Sequence, residues 1–104
     1  METTVIDNRL ALMLVELIRS HMESLKKEYN VASLALFGSY VRGEQTPESD
    51  VDILVEFSAP VGFFKFLDLE ERLSSILGRE VDLVSKNGLK PMIRESVLNS
   101  LFYV

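Results

Sequence analysis

Residues 31–57 read VASLALFGSYVRGEQTPESDVDILVEF, and two apolar runs in this stretch enclose a small polar connection. The first run, 31–37, is short and rich in residues that favour β-structure, so we predict a strand that ends at Gly38. In the second run, 50–57, apolar and acidic residues alternate, which predicts a strand with one core face and one acidic face. The core face carries Val51, Ile53, Val55 and Phe57, and the other face carries Asp50, Asp52, Leu54 and Glu56.

Helical patterns lie on either side of this pair of strands. Apolar side chains recur at helical spacing over residues 7–27 and again over residues 63–77, which predicts two long helices. Gly78 is placed to end the second helix. The lone His21 falls on the apolar stripe of the first helix, so we predict a partly buried histidine with a structural role.

Shorter elements complete the chain. The alternation in residues 80–84 predicts a third strand, Pro91 fits the first turn of a last helix, and residues 101–104 predict an edge strand. Three strands this short need helices packed against them to be stable. The order of elements therefore predicts an α+β fold for residues 1–104 as a single domain, with a small mixed β-sheet and helices packed on one face.

The composition excludes several classes of protein. The 104 residues include no cysteine and one histidine, which excludes disulfide-stapled folds, thiolate zinc sites and cysteine nucleophiles. The N-terminus lacks the pattern of a signal peptide, and no stretch approaches the roughly 20 apolar residues of a membrane span. We therefore expect a cytoplasmic protein with no membrane partner. The chain has 16 acidic and 11 basic residues, which gives a net charge of −5, so we also expect no direct binding to nucleic acid.

Three aspartates are candidates for a metal site. Asp50 and Asp52 stand two apart on a predicted strand, so both side chains are expected on the same face. Taken alone, such a pair is more often a solvated strand face or a turn. Asp82, on the polar side of the next predicted strand, supplies a third carboxylate. Hard cations such as Mg²⁺ prefer carboxylate oxygens, and two ions held by three carboxylates could assist a phosphoryl or nucleotidyl transfer.

The turn after the first strand has features of a phosphate-binding loop. Gly38 lets the backbone approach a phosphate closely, and the Ser39 hydroxyl can donate to a phosphate oxygen. Backbone N–H groups at the start of a short helix would add a positive dipole. Ser39 can equally be a helix N-cap, a role that is compatible with phosphate binding. Arg42 is long enough to reach a phosphate, although an exposed arginine is more often only solvated.

These motifs together resemble the signature of a known protein family. Residues 38–43, GSYVRG, followed by residues 49–55, SDVDILV, resemble the signature of the DNA polymerase β-like nucleotidyltransferase superfamily. More narrowly, they resemble the minimal nucleotidyltransferases, or MNT proteins, which are the antitoxins of prokaryotic HEPN/MNT toxin–antitoxin pairs. The strand that carries Asp82 matches the position of the third family aspartate. Val41 stands where that family often has alanine, which is a mild departure.

The resemblance implies a reaction and a set of residue roles. The implied reaction is the transfer of AMP from ATP, with two Mg²⁺ ions, to a tyrosine hydroxyl of a HEPN-domain toxin, which is thereby neutralised. The implied catalytic and metal-binding residues are Asp50, Asp52 and Asp82. The implied nucleotide-binding residues are Gly38, Ser39 and Arg42, of which the first two would hold the triphosphate.

Other functions stay open. The chain could be a non-catalytic antitoxin that neutralises the HEPN toxin by complex formation alone. A nucleotidyltransferase for a small molecule such as an aminoglycoside would need a second substrate domain or a partner. Because the sequence offers no domain that closes on the acceptor, we expect the partner to bring it in a hetero-oligomer. The cluster Phe63, Phe64 and Phe66 is a candidate base-stacking platform, but it is more typical of core plus a partner surface, with at least one ring exposed.

Overall fold

The computed structural model describes residues 9–104 and shows a four-stranded sheet with five α-helices in that part of the chain. The helices are α1 (Arg9–Arg19), α2 (Met22–Tyr29), α3 (Ser39–Arg42), α4 (Phe63–Leu77) and α5 (Pro91–Leu98). The strands are β1 (Val31–Phe37), β2 (Val51–Phe57), β3 (Val81–Ser85) and β4 (Phe102–Tyr103). A 3₁₀ turn, Lys86–Gly88, follows β3.

The sheet is mixed, with the strand order β3-β2-β1-β4. Strand β2 pairs antiparallel with β1 and parallel with β3, and β1 pairs antiparallel with β4. Helix α4 connects the parallel pair β2 and β3, as parallel neighbours require a long crossover. The predicted α+β class with a small mixed sheet is confirmed.

One face of the sheet carries the hydrophobic core. Val51, Ile53 and Val55 of β2 are fully buried on this face. Helices α1, α2 and α4 cover it with apolar side chains, among them Leu14, Ile18, Leu25, Leu69 and Leu73. The prediction that helices pack on one face is confirmed for these three helices, whereas α5 lies beside the opposite face, where Ile93 and Val97 line a cavity with Asp52 and Asp82. By the alternation of the strand, the opposite face of β2 carries Asp52.

Strand β3 lies at the edge of the sheet, and helix α4 covers its open side. Ser74 Oγ accepts a hydrogen bond from the Val81 N–H at 3.1 Å, and Glu70 Oε2 accepts one from the Leu83 N–H at 2.9 Å. Glu70 and Ser74 stand four residues apart and so share one side of the helix. These bonds satisfy edge N–H groups that would otherwise be a template for pairing with another chain.

The N-terminal helical region forms two helices rather than one. The prediction of a single helix over residues 7–27 is wrong, because residues 20 and 21 separate α1 from α2. Its predicted first two residues, 7 and 8, lie outside the described residues. The apolar stripe nevertheless continues across the break, since Ile18 of α1 and Leu25 of α2 are both fully buried in the same core.

Local hydrogen bonds explain this break. Ser20 Oγ donates to the Leu17 carbonyl oxygen at 2.7 Å, and His21 Nδ1 lies 3.0 Å from the same oxygen. Side chains that bond to a nearby carbonyl compete with the helical backbone for it. His21 itself is exposed, so the prediction of a partly buried histidine is also wrong.

The remaining predicted elements are confirmed. The connection after β1 contains the single helical turn α3, Gly78 ends α4 in a left-handed conformation, and Pro91 is the first residue of α5. Strand β4 is the predicted C-terminal edge strand. Among residues 9–104, no helix has the length and apolar character needed to cross a membrane.

The aromatic residues at the start of α4 divide between core and surface. Phe66 packs against Phe57, with ring centroids 6.2 Å apart. Phe63 and Phe64 are 69% and 83% exposed. Their rings contact each other edge to face, with centroids 5.7 Å apart. The expectation that at least one ring is exposed is confirmed, and the base-stacking role stays a prediction.

Candidate active site

Two of the three predicted aspartates lie side by side on the open face of the sheet. Asp52 of β2 and Asp82 of β3 are partners in the parallel register of these strands. Partners on neighbouring strands point to the same face, and their backbones lie about 4.8 Å apart. The preceding pair, Val51 and Val81, belongs to the core, so the two carboxylates face away from the core.

The surroundings of Asp52 favour its protonated form. Partial burial, followed by the carboxylates of Asp82 and Asp50, raises the pKa of Asp52 from 3.8 to about 6, and Arg42 opposes the rise. Burial removes the water that stabilises an ion, and like charges repel one another. A cation between the carboxylates would relieve the repulsion, so the electrostatics of the pair favour a positive ion.

The turn after β1 brings the backbone against Asp52. Gly38 has φ +77° and ψ −149°, a conformation that is essentially restricted to glycine. A Cβ at Gly38 would overlap Oδ2 of Asp52. The strand register pairs Phe37 with Asp52, so the turn begins directly beside the carboxylate. Glycine is therefore required here for both conformation and space.

Ser39 and Arg42 begin and end the helical turn that follows. Gly38 occupies the N-cap position, so the N-cap interpretation of Ser39 is wrong; Ser39 is the first helical residue and is half-buried. Arg42 Nε donates to Glu44 Oε1 at 2.9 Å, and both side chains are more than half exposed. The charge of Arg42 acts to lower the pKa of Asp52, which places the guanidinium within electrostatic range of the carboxylates.

Asp50 stands apart from the carboxylate pair. It precedes β2, is exposed, and lines a separate cavity of about 390 Å³ with Arg79 and Glu80. Its charge still raises the pKa of Asp52. Over the described range 9–104, no three aspartate, glutamate, histidine or cysteine side chains are grouped closely enough to hold a metal ion together. The structure therefore brings Asp52 and Asp82 together and leaves Asp50 at the margin of the site.

The carboxylate pair opens into a cavity of about 320 Å³ that is also lined by α5. Its charged lining residues are Asp52, Asp82 and Lys90, and its apolar lining residues are Phe37, Val84, Leu89, Ile93 and Val97. The sequence pattern alone predicts no function for this wall. The i, i+4 spacing of Ile93 and Val97 is the signal that could have identified its apolar part, whereas nothing in the local pattern distinguishes Lys90 from a solvated lysine.

Comparison with known sequences gives the family of this chain. The family described as nucleotidyltransferase domain matches residues 18–104, a range that includes Gly38, Asp52 and Asp82. The protein adenylyltransferase MntA of Thermococcus cleftensis is 44% identical over 88 residues, which cover 85% of this chain and 89% of that protein. The similarity therefore extends over the whole strand–turn–strand unit of the candidate site.

Solved structures share the fold. One, provisionally described as a minimal nucleotidyltransferase, has a TM-score of 0.69 and 35% identity, with 85% of this chain and 93% of that chain covered. Another, a toxin–antitoxin with AMP-PNP, has a TM-score of 0.66 and 26% identity, with 81% and 69% covered. This chain belongs to the nucleotidyltransferase domain family, is similar to its minimal members, and is a nucleotidyltransferase.

Proposed function

We propose that this nucleotidyltransferase transfers AMP from ATP to a tyrosine hydroxyl of a HEPN-domain toxin and so acts as its antitoxin. The observation that carries the proposal is the register pair of Asp52 and Asp82 beside the turn at Gly38. It is supported by a relative named protein adenylyltransferase and by a similar structure of a toxin–antitoxin with AMP-PNP, an ATP analogue. In this proposal the chain works as one domain, in a complex whose toxin subunit brings the acceptor.

Mg²⁺ is the metal that we propose for the site. Asp52 and Asp82 offer carboxylate oxygens, and Mg²⁺ is usually bound by one or two carboxylates together with substrate phosphates. Burial, followed by the charges of Asp82 and Asp50, raises the pKa of Asp52, and a cation at the pair would oppose the repulsion between these carboxylates. Asp50 contributes negative charge to the site, since it raises the pKa of Asp52, and its part in this proposal is to attract the cation. Asp52 and Asp82 would hold the metal, which would offset part of the triphosphate charge and polarise a phosphoryl oxygen bond of the α-phosphate.

The turn at Gly38 is the proposed binding site for the triphosphate. The missing Cβ leaves room beside Asp52 and lets the backbone approach phosphate oxygens. The half-buried Ser39 lies next to it, and its hydroxyl is a donor for the same oxygens. Arg42 contributes positive charge. Its contact with Glu44 is an exposed ion pair of a kind that contributes little stability, so Arg42 can leave it for a phosphate.

The reaction in this proposal is a substitution at the α-phosphorus of ATP. The tyrosine oxygen forms a bond to the α-phosphorus, the bond between that phosphorus and the bridging oxygen of the β-phosphate breaks, and pyrophosphate leaves. The hydroxyl proton passes to the Asp82 carboxylate and then to water. Asp82 is exposed, which gives the proton a path to solvent.

Labelling of the partner tests the proposal. The product of the neighbouring gene, which this proposal expects to be a HEPN-domain protein, is incubated with this chain, Mg²⁺ and ATP that carries label on the α-phosphate. We expect label on a tyrosine of the partner, located by peptide mass spectrometry, and none from γ-labelled ATP. Asp52→Asn and Asp82→Asn should each abolish the transfer. Glu56→Gln is the matched control. Glu56 lies on the same strand as Asp52, but its side chain is exposed and its Oε1 lies 3.8 Å from Lys86 Nζ.

Three other outcomes would contradict the proposal or limit it. A well-folded wild-type protein that transfers no AMP to the partner contradicts it. If the double variant Asp50→Asn, Asp52→Asn transfers nothing but still neutralises the toxin, neutralisation occurs by complex formation alone. Label on an aminoglycoside in place of the protein would identify a small-molecule acceptor.

A further inference from the structure

Helix α5 forms one wall of the cavity beside the carboxylate pair, and the reaction described above gives this wall no role. Ile93 and Val97 of α5 line the cavity together with Phe37 and Val84 of the sheet. Leu89, which is 8% exposed, also lines it and anchors the segment that leads into α5. The cavity of about 320 Å³ therefore combines apolar walls with two carboxylates and the exposed Lys90.

The position of this cavity relative to the turn at Gly38 decides which substrate enters it. Asp52 and Asp82 line the cavity, whereas Gly38 and Ser39 are not among its lining residues. In an in-line substitution, the attacking and leaving groups lie on opposite sides of the phosphorus. With the triphosphate at Gly38 and the α-phosphorus at the carboxylates, the acceptor hydroxyl has to approach from the cavity.

We propose that this cavity is an acceptor subsite for a phenol ring, so that the enzyme selects tyrosine over serine and threonine. The inference rests on the function proposed above and adds the chemical basis of acceptor choice. A tyrosine side chain has a large apolar body and a hydroxyl at its tip. Its ring would pack against Ile93, Val97 and Val84 while the hydroxyl reaches Asp82.

Serine and threonine lack this match. Their hydroxyls stand on short side chains that leave the apolar walls uncovered when the oxygen reaches the carboxylates. The bond changes are the same for every acceptor: the oxygen–phosphorus bond forms, the bond to pyrophosphate breaks, and the hydroxyl proton moves to Asp82. The tyrosine hydroxyl, with an ordinary pKa of about 10, also loses its proton more readily than an aliphatic hydroxyl. The part of the selection that comes from the cavity walls is therefore the part that Ile93→Ala removes.

Steady-state kinetics with a pair of adjacent variants test the subsite. Ile93 is 49% exposed, and no side chain of α5 is fully buried, so Ile93→Ala leaves the core intact. We expect the KM for the partner protein to rise about tenfold, equivalent to roughly 1.4 kcal/mol, while the KM for ATP changes less than about twofold. Met92→Ala is the matched control, because Met92 is 93% exposed and is not among the cavity-lining residues.

The same assay has outcomes that overturn the inference. A rise in the KM for ATP, with the KM for the partner unchanged, would mean that the cavity holds the nucleotide base. A partner in which serine replaces the modified tyrosine should lose at least about tenfold in kcat/KM. Equal labelling of the tyrosine and serine partners would remove the case for a phenol subsite.

A binding measurement tests the cavity without any transfer. The ¹⁵N-labelled full chain is titrated with N-acetyltyrosinamide, N-acetylserinamide and adenosine. We expect the tyrosine probe alone to shift the amides of Phe37, Ile93 and Val97, and Ile93→Ala to weaken that shift. Shifts with adenosine only, or with none of the probes, overturn the inference. If the chain binds the tyrosine probe but labels no partner, the subsite is supported and the proposed function is contradicted. If the chain labels the partner but does not bind the tyrosine probe, the proposed function is supported and the subsite is contradicted.

Discussion

Replacement of Asp52 by asparagine is expected to stabilise the metal-free protein at neutral pH. The pKa of Asp52 is raised from 3.8 to about 6, first by burial and then by Asp82 and Asp50. A carboxyl group with a raised pKa binds its proton more tightly in the folded protein than in the unfolded chain. Ionisation of Asp52 therefore costs the folded state free energy, and an uncharged side chain of the same shape removes that cost.

The size and sign of the effect follow from this pKa. A rise from 3.8 to about 6 corresponds to roughly 3 kcal/mol for a fully sheltered group. Asp52 is only half-buried, so solvent screening reduces the expected gain to about 1.5 kcal/mol. In the wild type, the contribution of Asp52 is most favourable below pH 3.8, falls as the pH rises to about 6, and is level above that. The variant and the wild type should therefore differ most above this window and least below it.

Urea denaturation in EDTA measures this difference at about pH 4, 5.5 and 8. The control is Glu71→Gln, which removes an exposed carboxylate of α4. Added Mg²⁺ should stabilise the wild type but have little effect on Asp52→Asn, because a ligand that binds only the folded state raises its stability. If Asp52→Asn is no more stable than the wild type at pH 8, then burial and charge repulsion do not destabilise the ionised Asp52.

Three further predictions test the structure. Gly38→Ala forces a Cβ into the carboxylate of Asp52 at a positive φ, so urea denaturation should show a loss of about 2–3 kcal/mol in unfolding free energy. Gly43→Ala also has a positive φ but open space for its Cβ, so it should lose about 1 kcal/mol. Equal losses for the two variants would contradict the contact between Gly38 and Asp52. Tyr29→Phe removes a 2.8 Å hydrogen bond to α4 and should lower the unfolding free energy by about 1 kcal/mol; an unchanged denaturation midpoint would contradict this. Glu70→Ala should increase hydrogen exchange at the Leu83 amide about tenfold, and unchanged exchange would exclude the bond.

The strands and helix α4 could be predicted because local pattern and tertiary packing agree there. The alternation in β2 places its valines and isoleucine in the core, and Gly78 ends α4 in the left-handed conformation expected of a helix-ending glycine. The break between α1 and α2 could not be predicted, because the apolar stripe continues through it. Two side-chain contacts with one carbonyl, from Ser20 and His21, decide the break, and such contacts leave no periodic signal.

The carboxylate pair could be predicted only in part. Period-two alternation places Asp52 and Asp82 on the polar faces of their strands, but the register that makes them neighbours is a tertiary property. Asp50 lies before β2, where the alternation of the strand no longer fixes the direction of its side chain. The wall formed by Ile93 depends on how α5 packs against the sheet, which local pattern does not determine.

Helix α4 links the stability of the fold to the geometry of the site. It connects β2 to β3, and its side chains Glu70 and Ser74 bind the N–H groups of Leu83 and Val81, the two residues that flank Asp82. A slip of one residue in β3 would turn Asp82 into the core and place an apolar side chain on the open face. Because those N–H groups lie on the open edge of the sheet, the helix supplies the partners that a further strand would supply in a wider sheet. The alignment of the carboxylate pair therefore depends on Glu70 and Ser74, which lie on α4 along the edge of β3 and have no part in binding the substrate.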